Sequence, residues 1–236
     1  MSCVFIGSLQ KTTLTDFPGL VACIAFLVNC NFRCKFCYNK ELLSHTYFKK
    51  SKRELLQESD FFAFLEKNKK MLDGVVITGG EPTLSPGLIP FIKKIKSFGF
   101  KVKLDTNGSR PEILKKLLMD GLLDYVAMDL KAPLSKYYSI TQVNTPSVKL
   151  LESISLLSSS KIPHEFRTTL FPKLTKDDLF EMARLIPNEV WFLQIFQPKK
   201  ALDVKSRSLK PLKLSEVKSV VKEIGSAVNV SIRGFD

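Results

Sequence analysis

The stretch VACIAFLVNCNFRCKFCYNK, residues 21–40, joins an unbroken apolar run to a loop that holds three cysteines. From Val21 to Val28 no position alternates between apolar and polar, the pattern of a strand buried on both faces in a parallel sheet covered by helices. The run is too short to span a bilayer. The loop that follows it spaces Cys30, Cys34 and Cys37 four and three residues apart. A fold that carries buried parallel strands and places a reactive loop after one of them binds its ligands at the C-terminal edge of the sheet.

Outward from this stretch the same unit recurs. Apolar runs at 3–8, 21–28, 74–78, 101–105, 124–129, 164–170, 190–196 and 228–232 predict strands. Helical patterns fall between them, near 53–70, 87–98, 111–119, 147–159, 175–186 and 214–224. Gly99, Gly121 and Gly225 stand where C-terminal caps belong, and Thr175 with Asp177 and Asp178 reads as a helix start. Repeated strand–helix units imply an α/β fold with a right-handed parallel array, either a barrel or an open doubly wound sheet. The polar clusters TGGEP (78–82), DTNG (105–108), DLK (129–131), RTT (167–169) and QIFQ (194–197) all fall toward the C-terminal ends of predicted strands. Chance would scatter them over both edges.

The 236 residues are 44% hydrophobic and 25% charged, enough for one domain with a sizeable core and unlike a disordered or fibrous chain. The opening MSCVFIGSLQKTT has neither a basic leader nor a long apolar segment, so no secretory signal is expected. Five cysteines, three of them in one loop, do not read as a disulfide framework, and a reducing, cytoplasmic location is the expectation. The net charge of +13 comes from scattered lysines rather than one block interleaved with aromatics. It favours attraction to an acidic protein or anionic ligand over nucleic-acid binding.

Three thiols in eight positions suit one corner of a cubane cluster with one iron left open, by the logic that separates open catalytic metal sites from closed ones. The alternative is a zinc site that recruits His45, Cys23 or Cys3 as fourth ligand. Against it, Cys23 lies inside an apolar strand, Cys3 belongs to a separate one, and no second CxxC pair exists.

CxxxCxxC with an aromatic, Phe36, before the last cysteine resembles the signature of radical S-adenosylmethionine (radical SAM) enzymes. The resemblance implies a [4Fe-4S] cluster on Cys30, Cys34 and Cys37, with S-adenosyl-L-methionine chelating the open iron. It implies reductive cleavage to a 5′-deoxyadenosyl radical, the cofactor carrying the hard chemistry. It also implies a partial (β/α)6-type parallel barrel, TIM-barrel-like, as a single domain. On that plan residues 1–20 form the N-terminal strand and lead-in, 21–200 the barrel core with the cluster loop at 29–40, and 201–236 a C-terminal helix and strand. Gly79, Gly80, Glu81 and Pro82 look like the family's second motif, which holds the methionine amino group. There the glycines would let the backbone approach the ligand, and Pro82 would keep Glu81 extended.

IGSLQKTT (6–13), DFPG (16–19), LDTNG (104–108) and MDLKAP (128–133) narrow the resemblance to glycyl-radical-enzyme activating proteins. The longer form tied to anaerobic ribonucleoside-triphosphate reductase is nearest, and pyruvate formate-lyase activase is a relative. The resemblance implies that Phe36, Asn39, Asp105 and Asn107 contact the cofactor, with Lys131 and Arg167 at its carboxylate or nearby polar groups. Asp105 and Asp129 match carboxylates that hold a monovalent cation in the pyruvate formate-lyase relative. The partners implied are a glycyl radical enzyme as protein substrate and a flavodoxin- or ferredoxin-type electron donor, with no membrane. Activases with an inserted ferredoxin-like unit need eight further cysteines, and only two lie outside the loop. The short chain, with an uncapped barrel end, suits a macromolecular substrate.

The chain departs from those relatives at Asn29, often glycine, at Tyr38 and Lys40 after the last cysteine, and at Gln197. His164 heads a strand and reads as structural. A small-molecule enzyme like 7-carboxy-7-deazaguanine synthase is the alternative, although that family carries Trp-Cys-Asp-Thr where this chain has Phe36-Cys37-Tyr38-Asn39. A non-catalytic zinc or nucleic-acid-binding protein is the third reading.

Overall fold

The computed structural model describes residues 4–225 and 227–234. Among these residues one eight-stranded sheet runs in strict sequence order, β1(Ile6–Thr13), β2(Ala22–Leu27), β3(Gly74–Gly79), β4(Lys101–Thr106), β5(Tyr125–Asp129), β6(His164–Leu170), β7(Val190–Ile195) and β8(Asn229–Arg233). The pairs from β2 to β8 are parallel, whereas β1 lies antiparallel on β2 and carries two register irregularities. Among the described residues β1 and β8 do not pair, so the array is a partial barrel rather than a closed one or a doubly wound sheet.

Among the described residues eight α-helices flank the sheet: α1(His45–Lys50), α2(Glu58–Lys67), α3(Leu88–Ser97), α4(Pro111–Met119), α5(Tyr137–Thr141), α6(Ser147–Ser158), α7(Lys176–Leu185) and α8(Leu214–Ile224). The side chains of β2 to β4 part into two buried groups by strand alternation. Cys23, Ala25, Val75, Ile77, Val102 and Leu104 join the large core beneath the helices. Ala22, Ile24 and Val76 face the other way, where they pack on Phe17.

Two sequence expectations change. The first strand, expected at 3–8, runs instead from Ile6 to Thr13, with residues 1–3, Cys3 among them, outside the described residues. The polar Gln10-Lys-Thr-Thr stretch pairs because an edge strand against β2 needs main-chain contacts more than apolar side chains. The helix expected over 53–70 occupies only Glu58–Lys67. Two short helices, α1 and α5, carry no periodic signal of their own. Gly99 and Gly121 cap helices at φ of 91° and 62°, whereas Gly225 does not adopt the left-handed form. Thr175 and Asp178 form a full capping box on α7.

The DFPG turn stoppers the barrel at the N-terminal edge of the strands. Phe17 is 3% exposed and lies against Gly74, where a β-carbon would stand 2.9 Å from its ring. Lys103, inside the barrel, donates to the Asp16 carbonyl at 2.5 Å and holds the turn in place. No helix among the described residues is long and apolar enough to cross a membrane. Phe17→Ala should leave a cavity at the barrel floor and lower unfolding stability by about 3 kcal/mol, read from urea denaturation.

Candidate functional site

The residues singled out at the strand ends come together around one cavity of about 410 Å³, within the size range of ligand pockets. Cys30, Cys34, Cys37 and Phe36 form one side, Gly79, Gly80 and Glu81 the next, and Asp105, Asn107, Asp129, Lys131 and Arg167 the far side. Asn39 lines the rim. His164 lies at the opposite end of its strand, bonded to Glu189 at 2.9 Å.

The cysteine loop has little regular structure, and its backbone is fastened on three sides. Asn29 and Cys30 donate to the carbonyls of Leu42 and Leu43, at 2.8 and 3.1 Å. Arg33 and Lys35 donate to Thr141 and Ile140 at the end of α5, at 2.8 and 3.1 Å. The third fastening is the Gly79–Gly80 pair. The Gly80 N–H donates to Leu27 and the Glu81 N–H to Asn29, at 2.8 and 2.7 Å. A β-carbon on Gly79 would come within 2.4 Å of the Leu27 backbone, and one on Gly80 within 2.0 Å of the Asn29 carbonyl. The glycines therefore allow close approach to the base of the cysteine loop, and both also line the cavity. Asn29 itself sits at φ of 89°, in the left-handed region that glycine enters freely and asparagine best among the rest. That explains the departure from glycine at this position.

Glu81 is extended, as the following proline requires, and 1% exposed. Its carboxylate accepts from the Thr83 N–H at 3.1 Å, the Thr106 hydroxyl at 2.8 Å and the Asn107 N–H at 2.7 Å. Burial pushes its pKa up, and these donors pull against that shift. The amide of Asn107 then donates to Asn31 at 2.9 Å, and Asn31 donates to Ser109 at 2.8 Å. Glu81 thus binds β3 to β4, and the Asn107–Asn31 pair binds β4 to the cysteine loop. Asn31, Ser109 and the α5 anchor escape a reading of the sequence, because a hydrogen bond 76 residues away in sequence leaves no local pattern.

The far wall is a chain of alternating charges. Arg167 donates through Nη1 to Asp105 at 3.1 Å and through Nε to Asp129 at 2.9 Å. Lys131 reaches Asp129 at 3.2 Å and Lys103 reaches Asp105 at 3.3 Å. Burial raises the pKa of Asp129, but Arg167 and Lys131 together outweigh it and hold the group below the usual carboxylate range. The guanidinium lies between the two aspartates where the resemblance expects a monovalent cation, and each of the four carboxylate oxygens already faces a protein cation. A residue not anticipated, Arg233 from β8, also lines the cavity. It pairs with the fully buried Glu165 through both nitrogens, at 3.0 and 3.1 Å.

The cysteines are free, and burial pushes the thiols up, Cys30 to about 12, Cys34 to about 11 and Cys37 in the same direction. For Cys34 the ammonium of Lys131 pulls the other way. Thiols so placed become thiolates in the company of a positive group such as iron. Cys30, Cys34 and Cys37 all line the one cavity, and three thiolates are a donor set that suits an iron–sulfur cluster.

Comparison with known proteins agrees with this chemistry. The profile of the radical SAM superfamily matches residues 24–186. A protein of Methanocaldococcus jannaschii, provisionally named a glycyl-radical enzyme activating enzyme, is 30% identical over 94% of this chain and 92% of its own length. One from Thermococcus kodakarensis, provisionally named a GTP 3′,8-cyclase, is 26% identical over 74% of this chain and 55% of its own. In fold, a domain of pyruvate-formate lyase-activating enzyme from Bacteroides vulgatus aligns over 68% of this chain and 99% of its own, with a TM-score of 0.55 and 19% identity.

Two substitutions probe the site. Gly80→Ala should displace the cysteine loop and lower the iron bound per chain after anaerobic reconstitution. Gly99→Ala, with nothing within 4 Å of its added carbon, should leave the iron content unchanged. Arg167→Gln should cost about 2 kcal/mol, less than roughly 3–5 for a fully buried pair because Asp129 is partly exposed. Asp129, held low, adds stability at neutral pH that disappears as pH falls through its lowered pKa. In the variant that loss should begin at higher pH, read from urea denaturation at stepped pH.

Proposed function

The chain belongs to the radical SAM superfamily, and from that premise we propose that it is an activating enzyme that generates a glycyl radical on a partner protein. The partner is proposed to be anaerobic ribonucleoside-triphosphate reductase, on the strength of the motifs around residues 6–19, 104–108 and 128–133. The observation that carries the reading is the likeness to the Methanocaldococcus protein along most of both chains, 94% of this one on 92% of that one.

Members of the family use a [4Fe-4S] cluster and S-adenosyl-L-methionine. When bound, they supply one electron to the sulfonium and a 5′-deoxyadenosyl radical that takes a hydrogen atom from a glycine Cα, leaving 5′-deoxyadenosine, methionine and the glycyl radical. On this reading Cys30, Cys34 and Cys37 are the cluster's ligands, and Lys131 beside them favours their thiolate form. Phe36 is fixed by Phe171 at 5.8 Å between ring centres, and Lys131 lies 5.6 Å from its centre. It offers an apolar face for the adenosyl portion. Gly79 to Glu81 present main-chain groups at the cavity edge for the methionine amino group, with Asn39, Asp105 and Asn107 as further polar contacts. Lys131 and Arg167 meet the carboxylate end, and the alternating pairs hold both in position without relying on flexible side chains.

Exposed Lys40, Lys199, Lys200 and Lys205 flank the cysteine loop, where the main chain of Asp203 donates to Lys35 at 3.1 Å. They give an acidic flavodoxin- or ferredoxin-type donor a surface to approach.

The reading is tested by incubating the reconstituted, reduced protein and S-adenosyl-L-methionine with the glycyl radical enzymes of its source genome. A persistent glycyl doublet in the electron paramagnetic resonance spectrum is expected from one of them. Its absence with every partner sinks the reading. Cys34→Ala should lose cluster and cofactor cleavage together, and cleavage that survives would remove Cys34 from the ligand set.

A further inference from the structure

Two of the positions at which this chain departs from its relatives, Tyr38 and Gln197, meet in the structure. The Gln197 N–H donates to the Tyr38 hydroxyl at 2.7 Å, joining the end of the cysteine loop to the end of β7. Both residues line the cavity, Tyr38 half-buried and Gln197 exposed at the rim. Because the phenol oxygen accepts that bond, its own proton remains to be donated to something else. Gln194, on β7 opposite Thr169 and Arg233, also lines the cavity. Among the described residues neither the Gln194 nor the Gln197 side-chain amide makes a hydrogen bond within the protein. One wall therefore carries three uncharged groups with unused hydrogen-bonding capacity.

The charged wall differs in kind. The cavity is lined by the carboxylates Glu81, Asp105 and Asp129 and the cations Lys131, Arg167 and Arg233, three of each sign. Every one of those cations is paired, Lys131 with Asp129, Arg167 with Asp105 and Asp129, and Arg233 with Glu165. In a chain of net charge +13 the lining of this cavity is formally balanced, so it carries no net positive charge to draw in a triphosphate. Uncharged amides and a hydroxyl instead match what a polypeptide main chain carries into a cavity, one N–H and one C=O per residue, each of which needs a partner once it leaves water.

We propose that Tyr38, Gln194 and Gln197 form a station that binds the main chain of the polypeptide segment bearing the reacting Cα. The inference rests on the activating-enzyme reading and adds to it the residues that receive the protein substrate. Tyr38 donates its phenol proton to a peptide carbonyl. The two glutamine amides, each with two donors and an acceptor, serve the N–H and C=O groups on either side.

The test is calorimetric titration of the cluster-loaded, cofactor-bound protein with the capped, uncharged peptide acetyl-Ala-Ser-Gly-Ser-Ala-amide, with GTP titrated in parallel. Saturable binding of the peptide is expected, weakened about five-fold by each of Tyr38→Phe, Gln194→Ala and Gln197→Ala, as the loss of one neutral hydrogen bond predicts. Iron content, together with the shift of the cluster spectrum on adding cofactor, establishes that each variant is loaded. Gln194 lies outside the cysteine loop, so it keeps the test decisive if Tyr38→Phe fails to load. Equal peptide affinity in wild type and loaded variants, no peptide binding, or GTP binding more tightly than the peptide each overturns the proposal. A glycyl doublet on the partner with unchanged peptide affinity in the variants would remove the station and leave the activating-enzyme reading standing.

Discussion

The contact between Gly80 and the Asn29 carbonyl is the constraint on which the site depends. β2 and β3 pair in register to their ends, Leu27 opposite Gly79, and the chain beyond each strand has to diverge from the sheet at the same level. With 2.0 Å between the site of a β-carbon and a carbonyl oxygen, only glycine lets the two departing chains cross so closely. The main chain of Gly80 and Glu81 then satisfies Leu27 and Asn29, so the loop that carries the cysteines starts from a fixed point. Elements remote in sequence secure the rest of the loop. α5 holds its middle, and Asn107 holds Asn31.

Charge is arranged with similar thrift. The barrel interior takes in Lys103, Asp105, Arg167, Asp129 and Lys131 without leaving an ion unmatched, because neighbouring parallel strands put same-facing residues side by side. The register that pairs Asp129 with Arg167 across β5 and β6 makes their contact inevitable once the sheet forms. A network so tightly paired fixes rotamers, and it holds both cations at the cavity edge whether or not a ligand is there to meet them.

Much of this is legible in the chain itself. The apolar strands announce a parallel sheet, and the polar clusters announce the edge where the cavity lies, because both signals are local. The three cysteines declare themselves through spacing alone. The structure adds what no local pattern encodes. The two glycines of GGEP serve the neighbouring strand, since the sequence shows that glycine is needed but not what comes near it. Asn31, Ser109 and Arg233 are invisible there, because an isolated polar residue acquires meaning only from partners dozens of positions away. The antiparallel β1 extends into a polar stretch, for an edge strand draws its stability from the main chain.

Asn29 bears on how distant relatives are detected. At φ of 89° the position before the first cysteine takes a left-handed backbone, which glycine enters freely and asparagine tolerates. A search pattern written in letters, with glycine demanded there, passes over chains that meet the same requirement with asparagine. Written as a torsion, the same rule admits both and still rejects the β-branched residues that cannot make the turn.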